Sequence, residues 1–463
     1  RDKNIGIIGV GESTIPAFIQ SLRHLKINIS DVFFNCNSTI KQGISFENWN
    51  GDGDKYIHAF YSNAINYYIP EIFDNDSIIH HYKRVLFEKN DLKNHVYVYK
   101  LCYNNKVDIK NVHNAMQFDT GKLSIFLENI GISRNIEIVE GTYVDCETNN
   151  SELVTSLILS DGRKIECNFI FDCSGFSGLI LHKFYGIKKH SYSKFLPMNA
   201  AIPFWIYYKN NEKIRPYTIA TAMKYGWNWQ IPLQHRVGAG YVFDENYINV
   251  DQAISEAEEF FGQKIDVRTK IKFEPHRLQK VWHKNVMAVG LASGFLEPLE
   301  STSIWLSIHN LEAIRYHLND ILEYDETAIE NFNKIAAKSW DSIANFIYLH
   351  YMTKRDDSEF WKEFKKVTVP TTEFNHIYKL LKANKLKQTD LMVLQGMTAF
   401  NLDSYYQIGY GLKLQKEINN LGEYSNIIPN TIHNLEQINK LVNDALAHEQ
   451  IIEILKNGQF KVF

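Results

Sequence analysis

The chain has 463 residues, of which 45% are hydrophobic, 13% aromatic and 22% charged. That is enough for two or three ordinary domains, or one large α/β enzyme with an appended half, and its apolar content excludes a disordered chain. With 50 Lys and Arg against 53 Asp and Glu the formal net charge is −3, which argues against a basic nucleic-acid binder and a polyacidic tail.

Residues 4–8 read as a short apolar strand running into Gly9-Val10-Gly11-Glu12-Ser13-Thr14-Ile15-Pro16. Ile15, Phe18, Ile19, Leu22 and Leu25 then fall at helical spacing. Residues 30–115 are mixed and rich in loops, with a turn at Gly51-Asp52-Gly53-Asp54. A helix is predicted over 116–133, and strands over 135–146 and 153–173. The run Phe169-Ile170-Phe171, ending in Asp172-Cys173-Ser174-Gly175, suits a strand buried in a parallel sheet. Residues 197–282 are again strand-like. From 304 the text turns helical, with one stripe at Ile304, Ile308, Leu311, Ile314 and Leu318 and another at Ile329, Phe332, Trp340, Ile343 and Ile347. Pro370 and the loop around Pro429 interrupt it. The expectation is α/β or α+β over residues 1–300 and a mostly helical portion over 301–463.

The cysteines, Cys36, Cys102, Cys146, Cys167 and Cys173, are widely spaced and odd in number, and no C-x-x-C or H-E-x-x-H is present. Neither a disulfide scaffold nor a zinc site is expected. No run approaches the roughly 18 apolar residues of a membrane span, and nothing at the start reads as a signal peptide. A soluble protein of a reducing, cytoplasmic compartment is expected, without nucleic-acid or membrane partners. Usage leans to Asn, Ile, Lys and Tyr, which suggests an AT-rich genome; if that genome is viral, the compartment is a host cytoplasm.

Several segments carry candidate chemistry, each with a plainer reading beside it. Gly9-Val10-Gly11-Glu12-Ser13 after a strand is either a nucleotide-binding loop or a tight turn; Thr14 occupies the place of the third glycine in a dinucleotide fingerprint. Asp172 and its small neighbours either approach a ribityl or pyrophosphate chain or form a strand-to-loop turn. Gly290-Leu291-Ala292-Ser293-Gly294-Phe295-Leu296-Glu297-Pro298-Leu299-Glu300-Ser301-Thr302 opens a long helix near Ser303, and helix-start N–H groups suit an anion or the electron-rich edge of a flavin. Glu297 or Glu300 there is a general base or a carboxylate favoured by the helix N-terminus. Trp227 and Trp229, on one face of Gly226–Pro232, are core packing or the wall of a tunnel. Lys41, among apolar and aromatic neighbours, is a desolvated reactive amine or a surface lysine with a buried stem.

Taken in order, the strap GVGESTIP, CNSTIK followed by FENW, then FDCSG, GWNWQIP and GLASGFLEPLEST resemble the flavin-dependent halogenases of the tryptophan-halogenase family. His350-Tyr351-Met352-Thr353-Lys354-Arg355-Asp356-Asp357 and Phe360-Trp361 resemble that family's helical half. The resemblance implies a flavin-monooxygenase-like α/β module with a Rossmann-type FAD site and a β-sheet region, over residues 1–300, and a helical substrate module over 301–463. It implies that reduced FAD, O₂ and a halide ion yield hypohalous acid, which travels down a tunnel to Lys41. A separate flavin reductase would supply the FADH₂.

By the same resemblance Glu300 is the second catalytic residue, and backbone N–H groups of Thr302 and Ser303 hold the halide. Gly9, Val10, Gly11, Glu12, Ser13 and Thr14, with Asp172, Gly290 and Pro298, border the cofactor. His58, Phe60, Trp227, Trp229, Ser301 and Phe400 line the tunnel and substrate site. Three departures stand out. Ser303 replaces the family's usual Gly, which leaves open the preference among chloride, bromide and iodide. Phe400 stands where tryptophan halogenases carry Trp, and Lys387–Gln395 lacks the Tyr and Glu that read free tryptophan. Another indole or a phenol is therefore expected. The family's G-x-G-x-x-G, which precedes the strap, is absent, so the sequence, opening at Arg1, is expected to lack its native start. A single-component flavin hydroxylase and a non-catalytic flavin-fold binding protein remain alternatives, and a homo-oligomer is possible.

Overall fold

The computed structural model describes Asp2 and residues 11–60, 93–396, 399–414 and 439–457. Gly9, Val10, the expected strand at 4–8 and the loop around Pro429 lie outside the described residues.

Helix α1 (Ala17–His24) buries Phe18, Ile19 and Leu22, as the spacing predicts, while Leu25 lies past its end and is exposed. In α2 (Ile29–Asn35) the Asn28 side chain accepts from the Ser30 N–H at 3.1 Å, satisfying one of the helix's orphan donors. Three strands follow, β1 (Thr39–Lys41), β2 (Gly43–Glu47) and β3 (Lys55–Ala59). The last two pair antiparallel around the predicted turn, where Gly51 and Gly53 take φ of 78° and 75°.

The helix predicted over 116–133 is shorter. Residues 115–117 form strand β4 (Ala115–Gln117), which pairs with β1 and sets Lys41 opposite Ala115. Only after Asp119, whose side chain caps the Lys122 N–H, does α3 (Thr120–Ser133) begin. Strand pairing has overridden local helical spacing there. Of the strand text at 135–146, only Tyr143–Thr148 forms a strand. Strand β5 (Ile170–Asp172) pairs parallel with Val286–Ala288, but it is a sheet edge and leaves Phe171 46% exposed, so the apolar run is not buried throughout.

The main sheet has seven strands. They comprise β2, β3, β6 (Ala200–Ile206), β7 (Thr218–Ala222), β8 (Gly226–Pro232), β9 (Val237–Phe243) and β10 (Ile271–Lys272), in the order β10-β6-β9-β8-β7-β2-β3. All neighbours run antiparallel except β7 and β2, whose parallel register sets Thr218 beside Ile44. Val286–Ala288, here β11, precedes the turn that leads into α4 (Ser303–Ile314). The first helical stripe breaks there: a 3₁₀ turn at Arg315–His317 separates Leu318, and Leu311 is exposed. The second stripe is one 25-residue helix, α5 (Glu326–His350), with all five predicted positions buried.

One buried cluster joins sheet to helices. It contains Phe46, Trp49 and Tyr56, then Trp227 and Trp229, Leu299 and Leu306, the α5 residues Trp340, Ile343, Phe346 and Ile347, and Phe400 with Tyr405 and Tyr406. Packing is tight enough that a Cβ on Gly240 would meet the Trp229 ring at 2.1 Å. No described helix is long and apolar enough to cross a membrane, and no group of metal-ligating side chains occurs among the described residues.

Candidate active site

Lys41 ends β1 and is fully buried. The segment before α1 lies along the outer side of β4: Phe118 N–H donates to Glu12 O at 2.9 Å and Thr14 N–H to Met116 O at 3.2 Å. Strap, β4 and β1 thus lie side by side, which brings Thr14 O within 3.0 Å of Lys41 Nζ. The amine also donates to Ser301 Oγ at 3.0 Å and sits 5.5 Å from the centre of the Phe60 ring. Burial pushes its pKa down to about 7, although the nearby Glu300 charge works the other way. The amine therefore gives up its proton far more readily than an ordinary lysine.

The strap is anchored by Glu12, which receives the Arg236 guanidinium at 2.6 and 3.1 Å. Arg236 also donates to Asp119 at 3.1 Å and lies over the Trp205 ring. A buried, bidentate pair of this kind fixes backbone position more than it stabilises the fold.

Glu300 sits beside Ser301, whose φ of 58° is unusual for a residue with a side chain. That kink sends the two neighbouring side chains in different directions. Ser301 faces Lys41, and Glu300 faces two buried histidines. His58 Nδ1 lies 3.0 Å from both carboxylate oxygens, and His350 Nε2 lies 2.8 Å from Oε1. His350 Nδ1 donates to Phe346 O at 3.0 Å, since a carbonyl only accepts. Burial opposes a charge on Glu300, but the two imidazoles outweigh it and hold the carboxyl at about 2. Glu300 is thus a fixed anion in a site closed to water, poised to favour positive charge developing nearby.

A cavity lies next to this group, lined by Gly11, Ser13, Thr218, Trp227, Trp229, Pro298, Leu299, Ser301 and Ser303. The two indoles of β8 are 6.2 Å apart, and both are buried as well as lining. The alternatives of core packing and tunnel wall therefore do not exclude each other. Trp227 Nε1–H donates to Glu297 Oε2 at 2.6 Å, and the Tyr351 hydroxyl donates to the same oxygen at 2.5 Å. Glu297 Oε1 is buried with no partner among the described residues, and burial pushes this acid up to about 7. Of the two glutamates in FLEPLEST, then, Glu297 braces the Trp wall and Glu300 faces the histidines.

The other sequence candidates fall in three places. Thr302 and Ser303 form the start of α4, where the first N–H groups have no intrahelical acceptor. Phe400 stacks on Phe346 with centroids 3.8 Å apart, and His58 lies 6.0 Å from Phe400. Asp172 turns inward, accepting from the N–H groups of Ser174 and Ile180 at 3.0 Å, and Gly290 takes φ of 64° in the turn after β11. Phe346, Thr218 and Arg236 went unread in the sequence, and His350 and Tyr351 were only part of a longer motif. They reach the site across long stretches of chain, and no spacing pattern links them to Glu300, Ser13, Glu12 or Glu297.

Known proteins resemble this chain in sequence and fold. The sequence matches the tryptophan halogenase family over residues 1–423. It is 28% identical over 396 residues to the 7-chloro-L-tryptophan 6-halogenase KtzR of Kutzneria sp., spanning 80% of this chain and 77% of that protein. It is 27% identical over 382 residues to the tryptophan 6-halogenase ThaL of Streptomyces albogriseolus, spanning 78% and 72%. Among solved structures, a flavin-dependent halogenase from Xanthomonas campestris superposes with a TM-score of 0.87 at 25% identity, covering 98% of this chain and 91% of that one. BrvH, a flavin-dependent halogenase from Brevundimonas sp., gives 0.84 at 26% identity, covering 96% and 91%. The chain belongs to the tryptophan-halogenase family of flavin-dependent halogenases.

Proposed function

We propose that this protein uses reduced FAD, O₂ and a halide ion to halogenate an electron-rich arene, an indole or a phenol other than free tryptophan, through hypohalous acid relayed by Lys41. The observation that carries the reading is the Glu300–Ser301 turn: Ser301 faces the buried Lys41 amine, and Glu300 is held as an anion by His58 and His350. In this reading residues 1–300 form the flavin module and 301–463 the substrate module.

Gly11 brings bare backbone to the cavity wall. A Cβ on Gly11, which lines it, would have Ile304 Cδ1 at 4.0 Å as its nearest neighbour, so glycine here keeps room open in the cavity and relieves no clash. Gly11, Glu12, Ser13 and Pro298, with Asp172 and Gly290 ordering the adjoining turns, are the residues that would hold FAD. When bound, reduced flavin supplies with O₂ the oxidation of halide to hypohalous acid. The N–H groups of Thr302 and Ser303 would hold the halide at the positive end of α4.

The rest is the work of side chains. Trp227 and Trp229 confine the acid and keep out bulk water. The neutral Lys41 amine takes up the halogen and presents it to the arene. His58, Phe60 and Phe400 supply the aromatic surface against which the arene lies. Glu300 stabilises the ring's positive charge and receives its proton. Discrimination against free tryptophan is supported by the helix Gln388–Gln395, where Met392 and Val393 face solvent and Asp390 accepts from the Lys387 N–H as the helix's own cap. A separate reductase would deliver FADH₂ by diffusion.

The test combines the full-length protein, a flavin reductase, O₂, a panel of phenols and indoles, and chloride, bromide and iodide together. Products weighed by mass should carry one halogen, and Lys41→Ala should yield none. Absence of halogenated product with every halide, or full activity in Lys41→Ala, overturns the reading.

A further inference from the structure

Lys41 is fully buried and does not itself line the cavity; the Ser301 hydroxyl, which does, touches the amine and is continued along the cavity wall by those of Ser13 and Thr218. Lys41 Nζ donates to Ser301 Oγ at 3.0 Å, Ser301 Oγ donates to Ser13 Oγ at 3.1 Å, and Ser13 Oγ lies 3.0 Å from Thr218 Oγ1. Ser13, Thr218 and Ser301 all border the cavity. A hydroxyl carries one hydrogen and two lone pairs. With Ser301 accepting from the amine, its hydrogen goes to Ser13. Between Ser13 and Thr218 either hydroxyl can donate; with Ser13 donating, the chain runs from amine to cavity and leaves the Thr218 hydrogen for the cavity.

Among the described residues the amine's other neighbours offer no such path. Thr14 O is a carbonyl and has no hydrogen to pass on. The Phe60 ring is apolar. Glu300, the charged group felt by the amine, already receives His58 and His350.

We propose that Ser301, Ser13 and Thr218 form a proton relay between the buried Lys41 amine and the cavity, which makes Ser13 and Thr218 positioning residues for halogen transfer to that amine. The inference rests on the halogenation reading. The step balances. The nitrogen lone pair forms the N–halogen bond as the halogen–oxygen bond of hypohalous acid breaks. The nitrogen then releases one proton through the three hydroxyls, and the departing hydroxide takes it up as water. The halogen keeps its oxidation state, and no further reagent is needed.

The relay can be read without flavin or arene. Lysine labelled with ¹⁵N at Nζ reports the exchange of the Lys41 amine hydrogens with water by NMR. Ser13→Ala and Thr218→Val should slow that exchange by at least about tenfold, whereas Thr218→Ser, which keeps the hydroxyl, should match the parent. In turnover, the slowed variants should lose kcat with the KM for the arene unchanged. Should Ser13→Ala fail to fold, the Thr218→Val and Thr218→Ser pair carries the test alone. Parent-like exchange, or unchanged kcat, in a folded Thr218→Val protein overturns the relay. A parent protein that makes no halogenated product instead overturns the function proposed above, while the exchange measurement keeps its meaning.

Discussion

The backbone N–H of Ile40 donates to Nε2 of His448 at 3.0 Å, one residue before Lys41. The opposite ring nitrogen, Nδ1, donates to Ile214 O at 3.0 Å. The imidazole therefore has to be neutral, with its hydrogen on Nδ1, and α6 (His448–Lys456) becomes a clamp on the strand that carries the lysine.

Burial pushes His448 down to about 4 from an ordinary 6.5. A depressed histidine contributes stability that is fully present above 6.5 and lost as pH falls through about 4. The swing is about 3 kcal/mol at roughly 1.4 kcal/mol per pKa unit. Urea unfolding across that window should show the parent converging on a His448→Leu variant as the medium is acidified. A stability gap that stays constant with pH would count against the clamp.

Lys41 runs the opposite risk. Its folded pKa of about 7 lies below the ordinary 10.5, so the folded state resists a proton that the unfolded chain accepts. The destabilisation is complete below about 7 and fades as pH rises toward 10.5. Lys41→Met should therefore stabilise the fold near neutral pH by ~1–4 kcal/mol, with the advantage shrinking in alkali, while abolishing halogenated product. A less stable variant would show that the bonds to Thr14 and Ser301 outweigh the cost of burial.

Legibility in the sequence followed how local the determining physics is. Lys41 and Glu300 are picked out by resemblance to a family, since their own neighbours leave a reactive group and a plainer one both open, whereas the stripe of α5 needs only helical periodicity. The start of α3 was misplaced because pairing of β4 with β1, which no local pattern records, took residues 115–117. Thr218 is 205 residues from Ser13, and Arg236 is 224 from Glu12. Such partners are chosen by the register of the seven-stranded sheet, and only the folded chain displays that.

Glu297 offers a sign opposite to that of His448. Burial raises it to about 7 from 4.5, so its contribution is fully present below 4.5 and lost as pH rises through about 7. Glu297→Gln keeps an oxygen to accept from Trp227 and Tyr351 and never ionises. Relative to the parent it should gain about 3 kcal/mol between acid and alkaline medium, at roughly 1.4 kcal/mol per pKa unit. Thermal denaturation at several pH values reads the difference, and a flat difference would place the parent's carboxyl in one state throughout.

The strap's anchor yields a sharper test because one atom decides it. A Cβ on Gly238 would lie 1.8 Å from Glu12 Oε2, so Gly238→Ala has to evict that carboxylate from Arg236. Breaking a buried pair from one side costs about 3–5 kcal/mol. Because Glu12 O also holds Phe118 N–H, the strap should lift from β4 and draw Thr14 O away from Lys41, lowering product formation. In a Glu12→Ala background the atom that Gly238→Ala strikes is gone. There the same substitution should cost less than about 1 kcal/mol, a strongly non-additive double-mutant cycle. Additive losses would mean that Gly238 is needed for the sheet itself, and that the strap keeps its place without Glu12.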